Sequence, residues 1–323
     1  MKILFFIETL YNKSLTEIIP AMSVVSQLSD DVQALVIGDK NRLIELSQGL
    51  QGVFDTVNTV EIPPNYEYTV ESYSQILFEA ISLLQPDFIC SASTSVTREL
   101  LPKTAAKFNA GTLTDVISFN PETKDFKIPL YAGNLIGTAV INTNPAFFTI
   151  RTAGLKYTKS KTETKINKLE VKFPEVANIK TKIPKENENK GSLPGLTVAK
   201  TVIACGRGIG SKENIEKYIV PLAKKLNAAI GGTRAACDAG YLSNDLQIGQ
   251  TGKIIAPDLY IGLGISGAIQ HVAGIRDSGL IVAVNKEENA AIFDYADVGI
   301  VAKWEDVIPE FTTLIENYVS KSE

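Results

Sequence analysis

The chain has one histidine, three cysteines and no excess of basic residues among its 323 residues, and each shortage removes a class of function. A single histidine, His271, excludes a histidine-based metal site, and no carboxylate run has the spacing of a calcium loop. Cys90, Cys205 and Cys237 are too far apart for a CxxC pair, so no zinc framework is expected. Cys90 and Cys205 lie in the apolar runs FICSAS and TVIACG and read as buried packing residues in a reducing compartment. With 32 basic against 36 acidic side chains the net charge is −4, the wrong sign for a nucleic-acid binder. No apolar run nears the roughly 20 residues that span a bilayer, so no membrane insertion is expected. The opening MKILFFIETL is too short, and too acidic at its end, for a signal segment; it reads as a buried strand. Cytoplasm, or an organelle matrix after processing, is the expected compartment.

Two catalytic patterns are missing as well. A phosphate loop needs GxxxxGK followed by Ser or Thr, but Gly249 stands only three residues before Gly252 and Ile254 follows Lys253. The nucleophile elbow GxSxG fails because Gly264-Ile265-Ser266 continues as Gly267-Ala268. Hydrolysis is poorly supported, and no catalytic residue and no metal ligand is assigned.

What is present is an α/β pattern in two parts. Strand-like KILFFIE (2–8) and VQALVIG (32–38) flank a helical stretch, Leu15–Leu28. Apolar spacing near 3.6 predicts a helix at 68–84, leading into the strand DFICSAS; Thr94–Thr97 cap a helix through Leu100 and Ala105. Short β runs follow: TLTDVISF, IPLYAG, GTAVINT and AFFTIRTA. The lysine-rich stretch from Lys156 ends in KIPKENENKGSLPG, which reads as solvated surface and linker. A domain boundary is expected near Lys190, giving 1–190 and 191–323. In the second part LTVAKTVIACG reads as a strand before GRGIGS, and a helix with Ile215, Ile219, Leu222 and Leu226 on one face should be kinked or split by Pro221. Then come the strand AAIGG, the loop TRAACDAGYLSND, the strand DLYIGLG, the helix SGAIQHVAGIRDS, the strand LIVAVN and a terminal helix from about 305.

The glycines carry the chemical signal. Gly262, Gly264 and Gly267 form GxGxxG between a strand and a helix, where main chain can approach a pyrophosphate and a helix start supplies amide donors. GRGIGS repeats the logic at Gly206, Gly208 and Gly210, with Arg207 able to grip a phosphate in bidentate fashion. The plain alternative is two tight turns with no ligand. An NAD-type site expects an acid after the next strand, whereas LIVAVN ends in Asn285, whose amide suits a ribose or a base edge. Thr233, Arg234, Gln250, Thr251, Ser266 and His271 are the remaining candidates. Arg234 alone reads more readily as a surface charge, and His271 as a satisfied structural residue.

Taken together, GRGIGS, GGTRAACDAG, QIGQTGKIIAPDLYIGLGISGAIQH and AVNKEENAAIFDYADVGIV resemble the FAD-binding domain of the electron transfer flavoprotein alpha subunit, over about 200–303. The resemblance implies an N-terminal α/β domain that packs with a beta subunit and a C-terminal Rossmann-like, parallel-sheet domain that holds FAD. The heterodimer it implies takes electrons from flavoprotein dehydrogenases and passes them singly to a membrane quinone reductase. The implied site is Arg207, Thr233, Arg234, Ile248, Gly249, Gln250, Thr251, Ser266, Gly267, Ala268, Ile269, Gln270, His271 and Asn285. Thr251 would meet the flavin N5 edge and His271 a flavin carbonyl, and Ser266 with neighbouring amides would hold the ribityl-diphosphate portion. Arg234 would act as a fixed cation over the ring. Lys303 stands where the family often has an aspartate that helps hold the adenosine end, Thr233 where serine is common, and Cys237 reads as packing. The FAD domain would move about a hinge near 185–200. A bifurcating form with a second FAD and NADH oxidation in beta, a stand-alone NAD- or FAD-dependent enzyme and a non-redox nucleotide-binding protein are the alternatives.

Overall fold

The computed structural model describes residues 1–8, 10, 14–63, 66, 68–133, 135–158, 163–173 and 193–319. Contacts divide the chain into two compact units, Met1–Asn187 and Glu188–Glu323. The boundary expected at Lys190, and the first half of the hinge expected near 185–200, lie outside the described residues.

The first unit is built on a parallel sheet of seven strands: β1 (Ile3–Ile7), β2 (Val32–Gly38), β3 (Thr56–Glu61), β4 (Phe88–Ala92), β5 (Thr112–Val116), β9 (Ala146–Ile150) and β10 (Lys165–Lys168). Their order is β10-β3-β2-β1-β4-β9-β5, and every pairing is parallel. A three-stranded antiparallel sheet follows β5, made of β6 (Ser118–Asn120), β7 (Asp125–Leu130) and β8 (Leu135–Ala139). Strand β1 shows why the run ILFFI is apolar throughout. Side chains alternate between faces, and helices cover both faces, so Ile3, Phe5 and Ile7 enter one core while Leu4 and Phe6 enter the other. The expected helix at 68–84 is α4 (Val70–Leu84), started by a Thr69/Ser72 capping box, and α5 (Ser95–Lys107) starts on a Thr94/Thr97 box.

Three features of this unit depart from the sequence reading. The stretch Leu15–Leu28 is broken into α1 (Leu15–Ile18), a 3₁₀ turn (Ile19–Ala21) and α2 (Met22–Val25), because Pro20 lacks the N–H that a continuous helix needs. Helix α3 (Lys40–Gly49), capped by Asp39, and strand β3 were not anticipated. Nor was β10, whose sequence KINK carries no alternating apolar signal.

The second unit is a five-stranded parallel sheet of β11 (Thr201–Cys205), β12 (Ala229–Gly232), β13 (Leu259–Leu263), β14 (Leu280–Asn285) and β15 (Val298–Val301), in the order β12-β11-β13-β14-β15. It is an α/β doubly wound arrangement whose strand order reverses between β11 and β13. Outside the carboxyl ends of such a pair lies the crevice where ligands bind in open α/β sheets. Within the run expected to be one strand, Leu196 is buried in a turn and only Thr201–Cys205 is extended. Pro221 acts as expected but by an unexpected route. The helix passes from α6 (Lys212–Asn214) through a π-helical turn (Ile215–Ile219) into α7 (Val220–Lys225), which places the proline where no N–H is needed. The loop expected at 233–245 contains α8 (Arg234–Asp238), and the helix expected at 266–278 shrinks to α9 (Ile269–Val272).

The terminal helix is α10 (Trp304–Val319). The amides of Asp306 and Val307 both donate to the carbonyl of Lys303 (3.1 and 3.4 Å), so Lys303 occupies the cap position with a side chain that cannot accept a hydrogen bond. Lys303→Asp is expected to stabilise the second unit by about 1 kcal/mol. A higher urea midpoint of the fluorescence of Trp304, the chain's one tryptophan, would register it. No helix among the described residues is long and apolar enough to cross a membrane, and no group of metal-ligating side chains is found among them. All three cysteines are free and buried, with the Cys205 thiol pushed up to about 12 by burial.

Candidate functional site

A cavity of about 640 Å³ opens outside the carboxyl ends of β11 and β13, where the strand order reverses. Its floor is two interlocked turns. After β11, Gly206 donates to the carbonyl of Leu263 (2.8 Å) and Gly208 to that of Gly264 (3.2 Å). A Cβ on Gly206 would lie 2.0 Å from the Gly264 oxygen, so only glycine permits the two turns to touch. The indole of Trp304 donates to the Gly208 carbonyl (3.1 Å) and holds the same turn from below. The glycines predicted to admit a pyrophosphate therefore first admit one another. That leaves the ligand contacts to main-chain amides and side chains.

The amide donors are present. Among the described residues, the backbone N–H groups of Gly267, Ala268, Ile269 and Gln270 are taken up by no chain carbonyl, as befits the residues entering a helix. Around them the cavity is lined by Ser266, Ala268, Gln270 and His271 from the turn after β13, Arg207 from the turn after β11, and Asn285 at the end of β14. Thr233, Arg234, Ile248, Gly249, Gln250 and Thr251 complete the expected set. Gly267 and Ile269 do not line it. Gly267 is packed against Ile292, and Ile269 points outward, 44% exposed.

The 247–253 turn is fixed by main-chain bonds. Ile248 donates to Gly232 (2.8 Å), Gln250 to Gln270 (2.7 Å) and Gly249 to Lys253 (3.1 Å). On it, Gln247 Nε2 donates to the Thr251 hydroxyl (2.9 Å), so the oxygen is engaged as an acceptor and the Thr251 O–H is left to donate into the cavity. Thr233 is engaged in the same sense: its hydroxyl caps α8 by accepting from the Ala236 amide (3.3 Å), which leaves its O–H to donate.

Three side chains differ from their expected roles. Arg234 is not an isolated cation, because its Nε lies 3.4 Å from Asp238 one turn on, with the two side chains 73% and 62% exposed. Asn285 is buried with its amide nitrogen donating to the Ile265 carbonyl (2.7 Å) and its oxygen accepting from the Glu287 amide (3.0 Å). It ties together the turns after β13 and β14, and is not aimed whole at a ribose. His271 is buried with both ring nitrogens engaged, Nε2 with the Tyr260 hydroxyl (2.7 Å) and Nδ1 with the Ile248 carbonyl (3.1 Å). Burial pulls its pKa down to about 4. In this structure both nitrogens are bonded within the chain, while the residue still lines the cavity.

Gln247, Asp238, Lys286 and Glu287 line the cavity without having been anticipated. The spacing of Arg234 and Asp238, four residues apart, was the one signal available for any of them once α8 is recognised as a helix. The cations Arg207, Arg234 and Lys286, with the unclaimed amides, suit an anionic group.

Comparison with known proteins agrees with that chemistry. Residues 20–174 match the electron transfer flavoprotein domain family, and residues 195–276 the electron transfer flavoprotein FAD-binding domain family. The chain is 38% identical, over 295 residues, to a Schizosaccharomyces pombe protein named probable electron transfer flavoprotein subunit alpha, mitochondrial; the match covers 90% of this chain and 85% of that one. It is 34% identical over 297 residues to the protein FixB of Clostridium saccharobutylicum, covering 88% of each. To the electron transfer flavoprotein subunit alpha of Bradyrhizobium diazoefficiens it is 40% identical over 228 residues, 70% of this chain and 71% of that one.

Proposed function

The chain belongs to the electron transfer flavoprotein alpha-subunit family, and from that membership we propose that it holds the FAD of a carrier that moves electrons one at a time. Paired with a beta subunit, it accepts electrons from flavoprotein dehydrogenases, acyl-CoA dehydrogenases among them, and delivers them to a membrane quinone reductase. It has no substrate of its own. Cytoplasm or an organelle matrix is its compartment, in keeping with three buried, unpaired thiols.

The observation that carries this reading is the cavity at the strand-order reversal, whose lining brings Arg207 and Ser266 together with Ala268 and Gln270, two residues whose amides no chain carbonyl takes up. Bound FAD supplies the redox chemistry; the chain binds it, orients it and sets its surroundings. Arg207, Ser266 and the amides of Ala268 and Gln270 hold the diphosphate, and Gln250 with the Thr251 hydroxyl proton meets a ring edge. The test is to purify the chain with its beta subunit, count flavins and add NADH without oxygen. One FAD per heterodimer, not bleached by NADH, is the expected result. Two FADs with bleaching would mean the bifurcating form, and a complex that neither carries nor takes up FAD would overturn the reading.

Arg234 and Asp238 give a paired prediction. An unscreened unit charge about 4 Å away is worth up to roughly 4 kcal/mol at an effective dielectric near 20, on the order of 150 mV for one electron. Exposure and the Asp238 partner cut this to roughly 30 mV. Arg234→Ala is therefore expected to lower the midpoint potential of the bound FAD by about that much, and Asp238→Asn to raise it. Spectroelectrochemical titration of both variants checks the opposite signs.

A further inference from the structure

The bond pattern around His271 decides which of its nitrogens carries the proton. A carbonyl oxygen only accepts, so Nδ1, 3.1 Å from the Ile248 carbonyl, must be the N–H. Nε2 is then a lone pair, and the Tyr260 hydroxyl 2.7 Å away must donate to it. Tyr260 is wholly buried, and burial raises its pKa well above the ordinary phenol value, so it stays a donor. Gly262, two residues on, leaves the space for it: a Cβ there would lie 3.0 Å from the tyrosine ring. The Ile248 carbonyl at the other end opens the turn that carries Gln250 and Thr251.

We propose that Tyr260 is a positioning residue of the FAD site, acting through His271: its hydroxyl holds the imidazole as the neutral Nδ1–H form, and the imidazole in turn fixes the Ile248–Thr251 turn. His271 thus serves the site as a brace between β13 and that turn, and supplies neither charge nor proton to the ligand. The inference rests on the FAD-site reading for its consequence, though the bonds themselves are independent of any ligand.

Because His271 is the chain's one histidine, a chain labelled with ¹⁵N-histidine and joined to unlabelled beta subunit gives a single pair of ring-nitrogen resonances. The titratable groups packed on the ring are Tyr260 and, behind it, Cys205, while Arg207, Arg234, Asp238, Lys286 and Glu287 share the cavity. The expected spectrum shows a protonated Nδ1 and an unprotonated Nε2 that do not titrate between about pH 5 and 8. A protonated Nε2, or titration near the ordinary histidine value, would overturn the proposal whether or not FAD binds. Tyr260→Phe is expected to shift the Nε2 resonance and weaken FAD binding about tenfold, with the far-ultraviolet circular dichroism unchanged. Unchanged FAD affinity in folded Tyr260→Phe would also overturn it. Should that variant fail to fold, His271→Asn, which keeps a donor near the Nδ1 position, is expected to bind FAD more tightly than His271→Leu; equal affinities would count against the brace. Failure of the unaltered complex to bind FAD would sink the functional reading and leave the tautomer result standing.

Discussion

Gly267→Ala is expected to lower the stability of the C-terminal unit by more than about 4 kcal/mol and to abolish FAD retention. Gly267 has φ +88, a left-handed conformation that costs an L-residue roughly 1–2 kcal/mol. A steric clash costs more. An added Cβ would lie 2.1 Å from the backbone nitrogen of Ile292 and 2.5 Å from its Cα. That nitrogen donates to the Ser266 carbonyl (3.1 Å), and the Ile292 side chain is 1% exposed in the core, so the obstructing chain cannot retreat without losing both. Gly240 supplies the control. It has a similar φ of +76 with nothing within 4 Å of an added Cβ, so Gly240→Ala should cost only the backbone strain, about 1 kcal/mol. Trp304 is 5% exposed inside the second unit, so urea titrations followed by its fluorescence report that unit alone. Equal midpoints for the two variants would refute the clash.

The second large effect is a loss of stability in acid traceable to one residue. His271 has its pKa lowered from 6.5 to about 4, chiefly by burial and against the opposing pull of the Ile248 carbonyl. A depressed folded value means that the unfolded chain takes up a proton the folded chain refuses. The cost is absent above about pH 6.5, grows as pH falls and levels off below about pH 4. At 1.36 kcal/mol per pH unit of difference, roughly 3 kcal/mol is lost by about pH 4. Carboxylates held below their usual range, such as Glu213, add a loss of the same sign, so the histidine share must be isolated by difference. His271→Asn should be less stable than the parent at neutral pH, yet lose less on acidification, and the two curves should converge toward pH 4. Parallel curves would show that His271 is not held neutral.

Much of this fold could be read from residue order because parallel strands covered on both faces leave unbroken apolar runs. VQALVIG matches β2, and LIVAVN matches β14, residue for residue. Helix α3 is hidden in the sequence because it is mostly polar, with only Leu43 and Leu46 buried. The stretch 266–278 reads as a longer helix than it forms because its apolar spacing is helical, while Gly267 and the Gly274 contact with Gly249 stop the helix at both ends. Within the site, the two Gly-rich turns stood out by their spacing, whereas Gln250 and Thr251 were given their place by the family resemblance; residues of all three segments line the cavity. Partnership was not legible. The spacing of Arg234 and Asp238 pairs them only once α8 is known to be a helix, and nothing in the order of residues says that Asn285 spends its amide on two turns or that a tyrosine in a strand meets the lone histidine.

The interlocking of the turns at Gly206 and Gly264 has a bearing on the rate of electron passage as well as on shape. Their peptide groups are locked to each other and, through Trp304, to the last helix, so they cannot swing when a charge elsewhere in the cavity changes by one. Dipoles already set in place need no rearrangement at the moment of transfer. The floor of the cavity is thus expected to add little to the reorganisation energy of electron passage.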